Sequence, residues 1–173
     1  MEIAKKFIPL SRYDISKQLF TSCIKLRLPI DSTSLSINIL HRYANSIGDE
    51  KLIVSNQVVL LSSILFLTGK VTENMRKFSE ILLVTLALCG YFHELDEYQY
   101  TSICEKIIEK EQTILRELGF IIDYIPPYIY LLNISKYLEI SCGQVKLAWT
   151  IINELILFKE LNHLESVRIY KYL

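Results

Sequence analysis

The side chains in this 173-residue chain suited to catalysis or metal binding are three histidines, four cysteines and a run of charges that includes Glu109, Lys110, Glu111 and Glu117. General acid–base work needs titratable groups held together against one substrate. His41, His93 and His163 fall in separate segments, with no serine, cysteine or aspartate partner pattern that would make a nucleophilic triad. They read as surface or inter-helix histidines. Cys23, Cys89, Cys104 and Cys142 form no CxxC pair and no histidine stands at zinc-ligand spacing, so they read as dispersed, reduced core thiols. The five glycines are isolated, and none lies in a GxGxxG or GxxxxGK(S/T) run of the kind that cradles phosphate. Glu109, Lys110, Glu111 and Glu117 read as charges on an exposed helix face. No catalytic residue, metal or cofactor follows from these patterns, and the chain is not expected to be an enzyme.

Composition narrows the remaining classes. Half of the chain is hydrophobic (51%) against 22% charged, as in a packed globular protein. Nineteen basic and 19 acidic residues cancel, whereas a protein held to DNA by phosphate contacts usually carries a basic surplus. Direct nucleic-acid binding is therefore not expected, and a protein partner is. The start of the chain, Met1 to Lys6, lacks the apolar stretch of a signal peptide. Val58–Leu61, Ile64–Leu67 and Ile81–Leu88 are each far short of the roughly 20 apolar residues that span a bilayer, so an intracellular protein without a membrane segment is expected.

Elements that could position any functional residue are helical throughout. Ile15, Leu19, Cys23 and Leu26 predict a helix from about Tyr13 to Leu28, stopped by Pro29. Asp31 or Ser32 is expected to cap a second, through Tyr43, with Gly48 and Asp49 closing the segment. A third, about Ser55 to Thr68, is apolar on nearly all sides and should form the centre of a bundle. Thr72 to Asn74 are expected to cap a fourth, about Met75 to Cys89. Acidic residues around Glu94, Asp96 and Glu97 precede a fifth, about Tyr98 to Leu118, with Gly119 placed for a left-handed ending. An extended link, Ile121 to Ile125, leads to Pro126-Pro127 and a helix to about Leu138. Gly143 is expected to break the chain before a helix from Gln144 to Phe158, and a last segment begins near Leu164. Tyr124, Tyr128 and Tyr130 are expected to pack between the two helical units rather than to stack on bases.

Three ordered motifs resemble the cyclin family. Ser62 to Glu73 ends a buried helix with a lysine and then an acidic residue, and Met75-Arg76-Lys77 opens the next; this is similar to the central helix of a cyclin box. Thr72, Gly69 and Met75 stand where that pattern usually has an acidic residue, a small Ser or Ala, and proline. Glu111 to Phe120, with its Leu-Gly-Phe end, resembles the family's fifth-helix signature. Ala148-Trp149-Thr150-Ile151-Ile152-Asn153-Glu154 resembles a motif of transcription-type cyclins, and Leu26-Arg27-Leu28-Pro29 and His41-Arg42-Tyr43 also fit that branch, of the L, K, T and C kinds.

The resemblance implies an all-α cyclin fold: a five-helix first cyclin box over residues 11–120 and a partial second box over residues 126–173. The second box stops at Leu173, as a natural reduction or as a cut chain, and Trp149, Leu155 and Ile169 are expected to lack part of their usual cover. It further implies a nuclear regulatory subunit that binds and activates a cyclin-dependent protein kinase in transcription or RNA processing. Carried over by motif position, Lys70 and Glu111 would lie near each other and bond groups at the kinase's mobile C-helix, with Val71, Leu115, Phe120 and Ile122 as the apolar contacts around them. Glu111 and Leu115, four apart, share one helix face. Alternatives are a TFIIB-like cyclin-fold transcription factor, although the chain has neither a zinc ribbon nor a basic surplus, and a degenerate cyclin-fold scaffold.

Overall fold

An apolar segment in the first half of the chain dictates where the others go. Val58, Val59, Leu60, Leu61, Ile64, Leu65 and Leu67 are all buried in a computed structural model that describes residues 10–91 and 95–158. Among those residues there are eight helices and no strand: α1 (Arg12–Lys25), α2 (Ile30–Ile47), α3 (Asp49–Val54), α4 (Gln57–Val71), α5 (Phe78–Leu88), α6 (Glu97–Glu117), α7 (Pro127–Tyr137) and α8 (Cys142–Leu155). His93, Glu94, His163, Ile169 and the segment from Leu164 to Leu173 lie outside the described residues.

A helix that is apolar on all sides must be enclosed, and α4 packs against α1, α2, α5 and α6. Each fully buried aliphatic side chain contributes about 1.5–3 kcal/mol, so α4 supplies much of the drive to assemble its neighbours. Ser62 and Ser63, which interrupt the apolar run, are buried as well and find partners on two of those neighbours. Ser62 Oγ meets Thr85 Oγ1 of α5 at 2.8 Å. Ser63 Oγ lies 2.6 Å from the Val59 carbonyl and 2.9 Å from the Ile107 carbonyl of α6. Unmet, each hydroxyl would cost about 1–3 kcal/mol; paired, they fix the rotation of α4 against both helices.

Several boundaries differ from the sequence expectation, each for a local reason. The second helix begins at Ile30, with Pro29 as its N-cap, and runs on to Ile47. Ser32 is thereby left to bond Thr72 Oγ1 at 2.9 Å. The added helix α3 starts directly after Gly48 and is tied back when buried Arg12 pairs with Asp49 and donates to Asn45 Oδ1 at 2.7 Å. Thr72 and Asn74 do not cap α5, whose N-cap is Lys77 without a side-chain bond. Asn74 Nδ2 instead donates to the Thr72 carbonyl at 2.8 Å and to Ser32 Oγ at 3.3 Å, holding the turn after α4 against α2. Gly143 sits within the first turn of α8 rather than before it. Cys142 is exposed, unlike the core thiol expected there, because it falls at the start of that helix; Cys23 is buried, and Cys89 and Cys104 are half-buried.

Five helices share one ending. After α1, α4, α5, α6 and α7 a residue of positive φ follows the C-cap (Arg27, Glu73, Gly90, Gly119 and Glu139), and the next amide bonds five residues back, as Leu28 N does to the Cys23 carbonyl at 3.0 Å. This is the Schellman geometry that satisfies the last carbonyls of a helix. Gly119 adopts it as its sequence position led us to expect, at φ 61°. At Arg27, Glu73 and Glu139 a side chain occupies a conformation that disfavours it by about 1–2 kcal/mol. We expect Glu139→Gly to raise unfolding stability by about 0.5–1 kcal/mol, the left-handed penalty less the added backbone entropy of glycine. Urea titration checks this; an unchanged midpoint means Glu139 carries no such penalty.

Candidate functional site

Ile107, Glu111 and Ile114 on α6 and its C-cap Leu118 recur at spacings of four, three and four, and all four are buried. Glu111 therefore occupies a core-facing position and not the exposed face expected for that run of charges. A buried carboxylate without a partner costs several kcal/mol. Its partner comes from the last turn of α4, where Lys70 Nζ donates to Glu111 Oε1 at 2.7 Å and to Oε2 at 2.9 Å. The two side chains are unequally placed: Lys70 is 43% exposed and Glu111 6%. Beneath the ammonium, 4.1 Å from Nζ, lies the ring of Phe66, which meets Phe78 edge-on at 5.2 Å between centroids. An ammonium over a π face gains roughly 0.5–2 kcal/mol. Lys70 is thus a surface cation held from below by a carboxylate and an aromatic ring.

The four apolar positions predicted with this pair divide into two kinds. Val71 and Phe120 are exposed, Phe120 to 68%, whereas Leu115 and Ile122 are half-buried against the main core. Leu115 and Ile122 accordingly support the site more than they present it. Phe120 is held at φ 60°, in the left-handed region, by its amide bond to the Leu115 carbonyl at 2.9 Å. Its neighbour Ile121 is exposed as well and belongs to the same stretch, although motif matching passed over it. The signal for it was alternation: in the extended link, residues 121, 123 and 125 are exposed while 122, 124 and 126 turn inward. On the same helix Lys110 donates to Tyr43 Oη at 2.8 Å, and Glu117 accepts from Ser46 Oγ, so two more of the charges first read as solvated hold α6 to α2.

The link and the last two helices are organised by tyrosines. Tyr124 Oη meets Ser34 Oγ of α2 at 2.6 Å, and Tyr128 Oη donates to Asn153 Oδ1 at 2.7 Å. The Tyr128 ring packs on Trp149 at 4.5 Å, so both hallmark residues of the Ala-Trp motif serve one buried tyrosine. Ile156 and Leu157 join the core formed by the first helices, and His41 Nε2 lies 3.2 Å from the Ile156 carbonyl. His41 is thus an inter-helix histidine. Trp149 is half-buried and Leu155 exposed, together with Ile129, Leu132, Leu147 and Ile151 on α7 and α8.

These arrangements bind and position; they bring together no nucleophile and base. Among the described residues no group of three His, Cys, Asp or Glu side chains could hold a metal ion, and no helix is long and apolar enough to cross a membrane. Burial pushes the Cys23 thiol up to about 11, and burial likewise raises Tyr124 and Tyr128. Cys23 is therefore the inert kind of thiol.

No family model matches the chain, and no curated protein matches it. In the solved structures it is similar to a chain of the yeast RNA polymerase II CTD kinase CTDK-1 complex, with a TM-score of 0.71 and 18% identity over 87% of the present chain. The match takes in 48% of that chain, so the present chain spans about half its length. At this identity the likeness defines the fold, which is all-α and cyclin-like.

Two outcomes follow from the geometry. Lys70→Ala alone strands the Glu111 carboxylate and should cost about 1–3 kcal/mol, more than Lys70→Ala combined with Glu111→Ala; urea melts of the two variants give the order. Groups whose folded pKa is raised contribute stability that is fully present below the unfolded value and lost as pH rises through the folded one. Stability should therefore hold up to about pH 9, the ordinary Cys value, and fall towards pH 11 as Cys23 is driven to ionise. Cys23→Ala should remove part of that alkaline slope in melts run across the range.

Proposed function

We propose that the chain is a regulatory, non-catalytic subunit that binds and activates a cyclin-dependent protein kinase, acting in the nucleus on transcription or RNA processing. The observation that carries this reading is the fixed Lys70 ammonium at the rim of the bundle, flanked in sequence by exposed Val71 and approached by α6, whose end leads into exposed Phe120 and Ile121. An oriented cation with an apolar surround is the composition of an interface hot spot, in which the surround excludes water and the charge sets register. The ordered cyclin motifs support it, as does likeness in fold to a chain from a kinase complex.

Geometry refines the roles implied by the resemblance. Glu111 lies beneath Lys70 and spends both oxygens on it. It acts as a positioning residue, while Lys70, Val71 and Phe120 meet the partner and Leu115 and Ile122 back them. Ordering the lysine before docking removes an entropy cost that a free surface lysine would carry at binding. Docking there would favour the inward C-helix of the kinase and its internal Lys–Glu pair, switching on catalysis from outside the active site.

Affinity purification followed by a kinase assay tests the proposal. Wild-type chain should retain and activate a protein kinase, and Lys70→Ala with Glu111→Ala should weaken that binding by about thirtyfold or more, with helical content unchanged. Phe120→Gly separates binding from folding, because it relieves the left-handed φ while removing the ring: kinase binding should fall as stability holds or rises. A double variant that still retains and activates the kinase normally sinks the proposed interface. Salt-sensitive promoter-DNA binding by the wild type would favour the TFIIB-like alternative instead.

A further inference from the structure

Three cations meet in one place on a chain whose formal charges cancel. A groove of about 300 Å³ runs between the end of α1 and α5, lined by Lys25, Arg27 and Arg76 together with Leu26, Leu83 and Val84. Glu80 is the one carboxylate in its lining. None of these residues belongs to the Lys70 site.

The groove is ordered before any ligand arrives. Arg27 is the left-handed residue that ends α1, at φ 52°, and its carbonyl accepts from Arg76 Nη2 at 2.8 Å. That bond fixes the Arg76 guanidinium against the Arg27 backbone. Among the described residues, Lys25, Arg27 and Arg76 make no ion pair, and Arg76 makes no other hydrogen bond, which leaves most of its five N–H donors for a ligand. Leu83, on α5, is 70% exposed beside them.

The chemistry selects the ligand. Three cations less one carboxylate leave the lining a charge of two, which a phosphoserine or phosphothreonine, at about −1.5 to −2, neutralises and a single carboxylate only halves. A guanidinium presents parallel N–H donors that match two oxygens of a phosphate, and Arg27 and Arg76 both line the groove. A volume of about 300 Å³ stands at the small end of ligand sites and takes one or two side chains, not a nucleotide cofactor. Its apolar lining is aliphatic, with no ring on which a nucleobase could stack. We infer that the α1–α5 groove docks a phosphorylated peptide segment, seating the phosphate on Arg27 and Arg76 within the field of Lys25, and a neighbouring aliphatic side chain on Leu26, Leu83 and Val84.

Fluorescence anisotropy on the full chain provides the test. The probes are short fluorescent peptides with one fixed phosphoserine and a leucine scanned along its flanks, and the same peptides without phosphate. The best phosphorylated peptide should bind at least about tenfold tighter than its unphosphorylated form, as loss of charge-assisted bonds implies. Arg27→Gln with Arg76→Gln should erase that preference, Arg76→Lys should keep part of it, and Leu83→Ser should weaken binding severalfold while leaving the phosphate preference in place. The last is a surface change that tests the groove even where the arginine variants disturb the turn. Lys70→Ala with Glu111→Ala should leave peptide binding unchanged, which separates this groove from the kinase interface. Equal binding with and without phosphate, no binding by any phosphorylated peptide, a preference that survives loss of both arginines, or displacement by random-sequence RNA more readily than by phosphopeptide would each overturn the inference.

Discussion

A helix with no polar face cannot lie on a surface, and α4 imposes that condition on everything around it. Its apolar side chains face α1, α2, α5 and α6 at once. Because the helix is also studded with Ser62 and Ser63, the enclosure has to be specific: the hydroxyls need Thr85 on one neighbour and the Ile107 carbonyl on another. Burying apolar area is indifferent to rotation; satisfying two buried hydroxyls is not. The bundle is therefore both driven and registered by one element.

Where that enclosed helix surfaces, the chain places its charge. Lys70 stands one turn beyond Phe66, so its stem runs along its own helix and its ammonium arrives over the ring. A lysine can bridge a buried carboxylate and solvent in this way because its four-carbon stem is apolar and its head is not. Glu111 supplies the anchor from the middle of an otherwise apolar stripe. Two helices that meet mainly through hydrocarbon are thereby given one polar contact at the rim, at the place where a partner would meet it.

The second group of helices is held by a different device. Half-buried Tyr124 and buried Tyr128 each send a hydroxyl to a partner, one back to Ser34 and one forward to Asn153. The link between them is extended, alternates in exposure, and ends at Pro126 and Pro127, which suit a helix start because neither needs an amide partner there. α7 and α8 pack on each other and leave several large apolar side chains exposed. Those side chains contrast with α4, whose apolar residues from Val58 to Leu65 are all buried.

Much of this was written in residue order. All-helical character, the central place of α4 and the left-handed Gly119 were legible because they depend on periodicity and local backbone preference. Boundaries set by contacts between distant segments were not: Ser32 and Asn74 look like caps in isolation and become a tie between α2 and the turn after α4. The same holds for α3, which needs Arg12 from another helix to hold Asp49. By itself the sequence determined that the chain is helical and that the apolar run of α4 must be buried, since those follow from the types of neighbouring side chains. Only the tertiary structure decided that Glu111 is buried with both oxygens on Lys70, that Ile121 shares exposure with Phe120, and that Arg76 meets the Arg27 backbone. Each of these is a juxtaposition of groups far apart in the chain or turned by a backbone angle that residue type does not specify.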